Sequence, residues 1–513
     1  MSRMSQLRRH IAPVALIVAV AGSVAWATVN RAPAQRSATA AAVTVPRPSE
    51  TLICPDAGGT FPPGVTRVAY ANAGPDDGQL AVGPLDPVHP PVPAAVQPDR
   101  AWVIDGPAKT GPLVLDVRGS LVGTLAAMQF ARRIIGSGAV QLATAPCEAP
   151  VTDAWFIGAS TRAGAQLRLV LDNPDDVPAT VDLDLYSDQD VPTSSRGIRV
   201  PGRAQTALAI DQLLPGANLV AVHVTVRSGR VVPGLFTQVM AGQIPLGTAW
   251  LPRADGPATT LTVPGFLGGD GGRTLFLTNP GDIDATVSLR VTSPDGSFTP
   301  TGYDQVTVPA GQITAVDLRP VLRGADAAVT ITSDQPLVAG GSVALPQSAV
   351  SASDLAFLAA VPPLGTETVV PGGETQPGRR TLLIFSAPAG DATVRLTVLP
   401  GGGSAPSPGA GAASPGAGTA SGAGTALGGG TTASNVVTVP IPAGTTKVVD
   451  LGSITKDIAP GVDVVATGGP VYAAWVLEES GHAGGGISAM PLRTPDRLLT
   501  RPPVVPDLTA GLP

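Results

Sequence analysis

The chain has 513 residues, enough for three or four domains of ordinary size, so a single small core is excluded. Its 62 Gly and 54 Pro make up close to a quarter of the residues, against roughly 12% in an average protein, and aromatic residues are only 4%. This composition favours strands and turns over helices. A hydrophobic fraction of 43% is enough to build cores, and a net charge of −6 without a basic block argues against nucleic acid as a partner.

The N-terminus has the pattern of an export signal. Arg8 and Arg9 precede an uncharged apolar run, residues 11–29, which is long enough to cross a bilayer at about 1.5 Å per helical residue. Ala25-Trp26-Ala27 is a small-x-small cleavage site, so a cleaved signal peptide and an uncleaved anchor both stay open. The residues after Arg9 fit twin-arginine export poorly, which favours ordinary secretion. The predicted segments are a signal peptide or membrane anchor helix over residues 1–31 and a flexible stalk over 32–49.

Cys54 and Cys147 lie beyond this signal and 93 positions apart. An oxidising compartment favours a disulfide between them, and closing such a loop is worth roughly 4–5 kcal/mol on the chain-entropy model. Two free buried thiols are the alternative. A zinc site needs more ligands than two distant cysteines and scattered histidines supply. We therefore predict a Cys54–Cys147 disulfide, no metal site and no bound cofactor.

The chain repeats itself internally. Residues 167–185 (LRLVLDNPDDVPATVDLDL), 274–290 (TLFLTNPGDIDATVSLR) and 381–399 (TLLIFSAPAGDATVRLTVL) share a turn that is followed by Ala-Thr-Val. A degenerate first copy includes residues 65–72 (VTRVAYAN). Each unit holds about seven short alternating runs separated by Pro, Gly, Asn or Asp turns, which is typical of a β-sandwich.

The repeats predict an all-β protein of tandem immunoglobulin-like β-sandwiches behind the N-terminal helix. Residues 401–434 contain almost no large apolar side chain and fall where other repeats have short loops, so we expect a disordered insertion within the last sandwich. The predicted domains are a degenerate sandwich with the disulfide (50–150), two further sandwiches (151–253 and 254–363), the sandwich with the insertion (364–497) and a tail (498–513).

Sequence signatures of catalysis are weak. His223 lies in the alternating run VAVHVTV, so we expect it to be an ordinary strand residue and not a catalytic base. Ser453-Ile454-Thr455-Lys456 matches SxxK and Lys109-Thr110-Gly111 matches KTG, but these elements of penicillin-binding enzymes occur here in reversed order. The Gly-rich run 268–272 precedes no helix and is expected to be a turn, not a phosphate cradle. No catalytic residue is predicted.

A group of aspartates accompanies the strand TVDLDLYS. Alternation places Val181 and Leu183 on the core face and the aspartates between them on the solvent face. Carboxylates suit Ca²⁺, but no EF-hand spacing is present, so an acidic solvated edge and a calcium site both stay open. The aspartates concerned are Asp182, Asp184, Asp188 and Asp190.

Several short motifs together resemble a known family. They are Leu52-Ile53-Cys54-Pro55, Ala145-Pro146-Cys147, Trp155-Phe156-x-Gly158 and the Asn-Pro repeats. With the N-terminal signal, they resemble a family of uncharacterised exported actinobacterial proteins classed as a domain of unknown function. The resemblance implies a setting in the cell envelope and brings no catalytic residues.

These patterns lead to a functional expectation. We expect a non-catalytic exported protein of the cell envelope, anchored in the membrane through its N-terminal helix or secreted, which acts as a spacer or as a binding scaffold for a cell-wall polymer or an envelope protein. The alternative is an enzyme, or an enzyme accessory, that acts on envelope glycan, and it would need a pair of carboxylates.

Overall fold

Short runs of alternating apolar residues form strands along most of the chain. A computed structural model describes residues 43–56, 65–75, 77–105, 111–136, 138–189, 192–346, 353–404 and 435–501. The protein is nearly all β, with 60% strand and 4% helix, as its composition and alternation predict. It forms two compact units, Pro48–Asp496 and a smaller one of which residues 43–47 and 497–501 are described.

Nine strands come first along the described chain. They are β1 (Val43–Pro46), β2 (Ser49–Cys54), β3 (Val65–Asn72), β4 (Gln79–Pro84), β5 (Val92–Ala94), β6 (Arg100–Asp105), β7 (Leu113–Arg118), β8 (Leu125–Ile135) and β9 (Ala139–Pro146), with a 3-10 turn at Gly119–Leu121. Strands β2, β7, β4 and β5 form one sheet, in that order, and β6, β3, β8 and β9 form another. We call these two sheets the first sheet pair.

The second sheet pair follows directly. Its strands are β10 (Asp153–Ala159), β11 (Ala165–Asn173), β12 (Ala179–Ser187), β13 (Thr193–Val200), β14 (Ala204–Ala209), β15 (Val220–Ser228), β16 (Val232–Ala241) and β17 (Ile244–Leu251), with helix α1 at Ile210–Leu213. The sheet orders are β10-β15-β12-β13 and β14-β11-β16-β17. Apolar residues of both sheets, such as Leu169, Val181 and Val222, form one core between them.

The third sheet pair contains one strand that serves both sheets. Its elements are β18 (Ala258–Phe266), β19 (Arg273–Thr278), β20 (Ala285–Ser293), β21 (Gly296–Phe298), β22 (Val306–Val308), β23 (Ile313–Asp317), α2 (Arg319–Leu322), β24 (Ala327–Ala344) and β25 (Leu355–Ala359). The first part of β24 pairs with β18 and β20, and its last part pairs with β19 and β25. Strands β21 and β22 both pair with β20.

The fourth sheet pair completes the larger unit. The remaining elements are β26 (Thr368–Val370), β27 (Arg379–Ala387), β28 (Ala392–Leu399), β29 (Gly401–Ser404), β30 (Val436–Ile441), β31 (Thr445–Asp450), α3 (Leu451–Ile454), β32 (Gly461–Gly468), β33 (Tyr472–Glu479), β34 (Gly486–Pro491) and β35 (Leu498–Arg501). The fourth pair has the sheet orders β26-β32-β28-β30 and β31-β27-β33-β34. Strand β29 pairs in parallel with β6, and in the smaller unit β35 pairs with β1.

One strand order recurs in all four sheet pairs. If the strands of each pair are lettered A to H along the chain, one sheet is ordered A-F-C-D and the other E-B-G-H. In the third pair β24 acts as both F and G, and β21 is an addition. The last strands of the four pairs, β9, β17, β25 and β34, lie against one another in a closed cycle.

A buried carboxylate joins these four last strands. Asp354, just before β25, is fully buried. It accepts hydrogen bonds from the backbone N–H groups of Leu142 in β9 (2.8 Å), Thr248 in β17 (3.2 Å) and Ile487 in β34 (3.0 Å). One side chain therefore bonds to the three other sheet pairs.

The sheet pairs also contact one another through the ends of their A strands. A Cβ at three glycines would clash with the next pair, at 2.2 Å for Gly158 on Phe276, 2.5 Å for Gly265 on Ala474 and 2.8 Å for Gly372 on Ala69. Only glycine permits these close approaches. Because Gly372 belongs to the fourth pair and Ala69 to the first, the contacts close the chain of sheet pairs on itself.

Two expectations need correction, and several others fall outside the described residues. The face of β12 predicted to be wet is partly covered, since Asp182 is only 1% exposed and Arg227 lies over it. Gly401–Ser404, predicted to be disordered, forms β29. Residues 1–42, 405–434 and 502–513, with the predicted helix, most of the stalk and insertion, and most of the tail, lie outside the described residues. Within the described part, no helix is long and apolar enough to span a bilayer.

Candidate functional site: a groove in the third sheet pair

One wall of the groove is the hairpin formed by β20 and β21. Its turn reads Ser293-Pro294-Asp295-Gly296, with Pro and Gly at the positions that a type I turn favours. The Ser293 hydroxyl donates to the carbonyl of Gly296 at 3.0 Å. This turn carries Phe298 at the end of β21, where its side chain stays 42% exposed.

The hairpin is held from behind by the fourth sheet pair. The Ser297 hydroxyl donates to the carbonyl of Gly444 at 3.1 Å, and the Thr446 hydroxyl donates to the carbonyl of Thr292 at 2.8 Å. The hydroxyls of Thr292 and Ser297 also lie 3.0 Å apart. The wall is therefore fixed in place by neighbouring strands.

The opposite wall is α2 and the residues that follow it. Pro320 lies in the first turn of this short helix, and Arg323 caps its C-terminus in the left-handed conformation, with φ 48° and ψ 37°. Glycine usually occupies that position, and a residue with a Cβ is strained there by roughly 1–2 kcal/mol. The residues that end α1 and α3, Leu214 and Thr455, have φ of −135° and −144°. Arg323, an exposed arginine at the groove, therefore has a strained backbone conformation.

Between these walls lies an open groove of about 710 Å³. Its floor includes Val291, Leu322 and Tyr303, whose hydroxyl donates to the carbonyl of Asp317 at 3.1 Å. The other lining residues are Ser293, Asp295, Gly296, Ser297, Phe298, Thr299, Pro300, Thr301, Pro320, Val321, Arg323 and Ala325.

The lining residues combine apolar surface with few charges. Phe298 and Tyr303 supply aromatic rings, and Thr299 and Thr301 supply hydroxyls. Asp295 is the carboxylate of this set and Arg323 its guanidinium, so the formal charges cancel. Such a site can bind a ligand by stacking and hydrogen bonding.

The disulfide is the site that the sequence indicated most directly. The sulfur atoms of Cys54 and Cys147 are 2.02 Å apart. Cys54 ends β2 and Cys147 follows β9, so the bond joins the first and last strands of the first sheet pair. Both residues are buried. A buried disulfide is consistent with an extracytoplasmic location.

The aspartates considered for calcium bind other groups of the protein. Asp182 accepts from the backbone N–H of Gly197 at 2.8 Å, and Asp184 accepts from Arg196 at 2.6 Å. Asp188 accepts from the Asn218 amide at 2.7 Å, and Asp190 lies outside the described residues. Within the described ranges, no three His, Cys, Asp or Glu side chains are grouped to hold a metal ion.

The remaining motifs are spread over separate parts of the fold. His223 lies in β15, 2.7 Å from the Asp153 carboxylate and stacked on Trp155 with ring centroids 3.9 Å apart. Ser453 and Lys456 donate to backbone carbonyls around α3. Lys109 and Thr110 lie outside the described residues. Gly268 donates its N–H to the Asp326 carboxylate at 2.7 Å.

Sequence reasoning did not find the groove. Its walls come from residues 291–303 and 320–325, which meet only after β20 and α2 have packed. The available signals were an SPDG turn and a phenylalanine in a polar loop, and both are common in proteins without a binding site.

Comparison with known proteins places the chain in a family. None of the curated proteins and none of the solved structures compared with the chain matches it. Residues 106–420, more than half of the chain and including the groove, match a family of unknown function, DUF5719. The protein therefore belongs to the DUF5719 family.

Proposed function

We propose that the protein is a non-catalytic scaffold of the cell envelope, which binds a wall polymer or an envelope protein through the groove of the third sheet pair. The observation that carries this proposal is the groove itself, with its fixed walls, exposed Phe298 and strained Arg323. A glycan-cleaving site would need two carboxylates, and Asp295 is the single one among the lining residues.

The proposed architecture is four tandem immunoglobulin-like modules, one for each sheet pair. The recurrence of the A-F-C-D and E-B-G-H orders supports four repeated β-sandwich modules, because two antiparallel sheets around one core are the architecture that immunoglobulin-like domains share with other sandwiches. The contacts of Gly158, Gly265 and Gly372 with the next pair favour a binding scaffold over an extended spacer. A spacer gains reach from modules that meet only end to end.

The proposed location is the outer face of the membrane. The basic and apolar pattern of residues 1–31 and the resemblance to exported actinobacterial proteins support it. The buried disulfide adds to this, because disulfides persist in oxidising compartments. Anchoring through the N-terminal helix and release after cleavage are both compatible with these observations.

Binding can be tested by sedimenting the full-length protein with isolated cell walls and by capturing it on membrane-protein extracts. We expect retention on at least one of them and about tenfold weaker retention for Phe298→Ala, because an exposed aromatic ring is the main apolar contact in the groove. Ile283→Ala is the matched control, since Ile283 is 61% exposed in the same sheet pair and outside the groove. Absence of retention on both preparations would contradict the proposal.

A further inference from the structure

Phe298 is unusual among the exposed side chains. Of the large hydrophobic residues that are exposed in the described part of the chain, it is the only aromatic one. The others are aliphatic side chains on loops and strand edges, such as Val88, Val177 and Ile283. A flat aromatic face offers wide contact at a low cost in conformational entropy, and it matches the C–H face of a pyranose ring.

The polar groups around this ring suit hydroxyl groups. A sugar hydroxyl both donates and accepts, and the groove has one exposed carboxylate acceptor, Asp295, and one exposed guanidinium donor, Arg323. Thr299 and Thr301, also exposed, can do either. Because the two charges cancel, the groove has no net attraction for an anionic polymer such as a polyphosphate.

The groove is also held ready for a ligand. Ser297 and Thr446 fix the hairpin through hydrogen bonds, and in the opposite wall the Arg323 N–H donates to the carbonyl of Arg319 at 3.1 Å. A site that is ordered beforehand loses less conformational entropy on binding. A strained residue at a cleft is a feature that points from structure to function.

We propose that this groove binds a neutral oligosaccharide, with Phe298 stacked on a sugar ring and with Asp295 and Arg323 bonded to its hydroxyls. This assignment rests on the proposed function and names its ligand class. The composition of the groove favours a glycan over a peptide, because a balanced pair of charges and two threonine hydroxyls line it together with one exposed phenylalanine.

The ligand class can be tested on isolated cell walls treated in two ways. Mild periodate cleaves the vicinal diols of sugars, whereas a protease removes attached proteins. We expect periodate to abolish retention of the full-length protein and protease to leave it unchanged. Retention that survives periodate and is lost after protease would overturn the glycan assignment and leave a protein-binding scaffold standing. Absence of retention on untreated walls would instead overturn wall binding itself.

Variants test the geometry by calorimetric titration of the protein with two neutral tetrasaccharides that carry vicinal diols, cellotetraose and maltotetraose, and with inorganic polyphosphate. We expect binding of at least one tetrasaccharide and none of polyphosphate. Phe298→Ala should weaken binding about tenfold, whereas Phe298→Tyr, which keeps the ring, and Ile283→Ala should change it less than twofold. Binding of polyphosphate alone would overturn the assignment.

The Arg323→Gly variant distinguishes a role of Arg323 in ligand binding from a role in folding. Glycine relieves the left-handed strain, so the Tm should rise, while loss of the guanidinium should weaken tetrasaccharide binding about tenfold. A purely structural role for Arg323 predicts no loss of binding in the stabilised variant, and that result would remove Arg323 from the site.

Discussion

At the scale of single residues, the Asp354 carboxylate is hydrogen-bonded to all four sheet pairs. Its carboxylate accepts N–H groups of Leu142, Thr248 and Ile487 and also the N–H of Leu355, so each sheet pair donates to it. Burial raises the pKa of Asp354 well above its ordinary range, and these N–H groups act in the opposite direction. Asp354 is therefore a buried polar residue that links the four sheet pairs through hydrogen bonds.

Asp354→Ala should lower the free energy of unfolding by about 3–5 kcal/mol, because it leaves several buried N–H groups without an acceptor. Urea unfolding of the full-length protein measures the loss. Asp334→Ala is the matched control, since Asp334 accepts one N–H, from Thr286 at 2.8 Å, in an exposed setting. Equal losses in the two variants would show that Asp354 has no special role.

The buried carboxyl of Asp172 should make the free energy of unfolding depend on pH. It is fully buried in β11, and burial raises the pKa of its carboxyl well above the ordinary value of 3.8, with the nearby Asp56 carboxylate adding to the rise. Above about pH 4 the folded protein therefore holds a proton that the unfolded chain has lost, so this contribution to stability falls as pH rises.

Asp172→Asn keeps a neutral polar side chain and removes this titration. Between about pH 4 and 7, the free energy of unfolding should fall less steeply in the variant than in the parent protein. Urea unfolding at four pH values checks this, with the exposed Asp282→Asn as control. Parallel curves for Asp172→Asn and the parent protein would contradict the assignment.

At the scale of elements, the contact between the fourth and first sheet pairs is reinforced by ion pairs. Glu479 at the end of β33 bonds to Arg132 of β8 at 2.8 Å and to Arg379 of β27 at 3.1 Å. Glu374 bonds to Arg379 at 2.8 Å and to Arg67 of β3 at 3.2 Å. Only 7% of the Glu479 side chain is exposed, so this network is protected from solvent.

Glu479→Gln should therefore destabilise the protein by roughly 3 kcal/mol, because it leaves the partly buried Arg132 guanidinium without a carboxylate and Arg379 with Glu374 alone. The exposed pair Asp317–Arg319 provides the control, and Asp317→Asn should cost less than about 1 kcal/mol. Urea unfolding of the two variants in low and high salt distinguishes a protected ion-pair network from an exposed ion pair. A Glu479→Gln loss that disappears in high salt would show that the network is only a surface pair.

The strands themselves could be predicted from the sequence, because their signals are local. The repeated Ala-Thr-Val motif starts β12 at Ala179, β20 at Ala285 and β28 at Ala392. The ion pair of Arg132 and Glu479 could not be predicted, since the two residues are 347 positions apart and neither lies in a motif. Strand β29 was missed because glycine-rich segments have low β-propensity and its partner strand, β6, belongs to the distant first sheet pair.

At the scale of the whole larger unit, the hydrophobic clusters cross from one sheet pair to the next. One cluster holds Trp155 and Phe276, a second Phe266 and Ile384, and a third Phe130 and Phe385. Each cluster joins consecutive sheet pairs, and the third joins the fourth pair to the first. Shared clusters couple the stability of neighbouring modules.

We therefore expect Pro48–Asp496 to unfold in one cooperative transition within the full-length protein. Differential scanning calorimetry should give a single main endotherm whose calorimetric and van't Hoff enthalpies agree. Modules that share few contacts would unfold separately. Two or more resolved endotherms of similar size would contradict the closed arrangement.

The closed arrangement itself was beyond prediction from one sequence. Gly158, Ala69 and Ala474 are small residues in apolar runs, and such residues fit a module interior as well as a contact between modules. The groove was hidden for a similar reason, because Phe298 and Arg323 come from separate turns. Both features depend on which folded surfaces meet, and local periodicity carries no information about that.

The added strand β21 affects how many copies of the groove one molecule presents. Four sheet pairs with the same strand order could have offered four equal binding sites. Within the described residues, however, β21 is added only to the third sheet pair. The described part of the chain thus presents this groove once, and a single weak contact gains no avidity from the other sheet pairs. If the protein has the proposed function, a repetitive polymer would be held firmly only by many chains side by side, and the number of molecules per area of envelope would set the strength of adhesion.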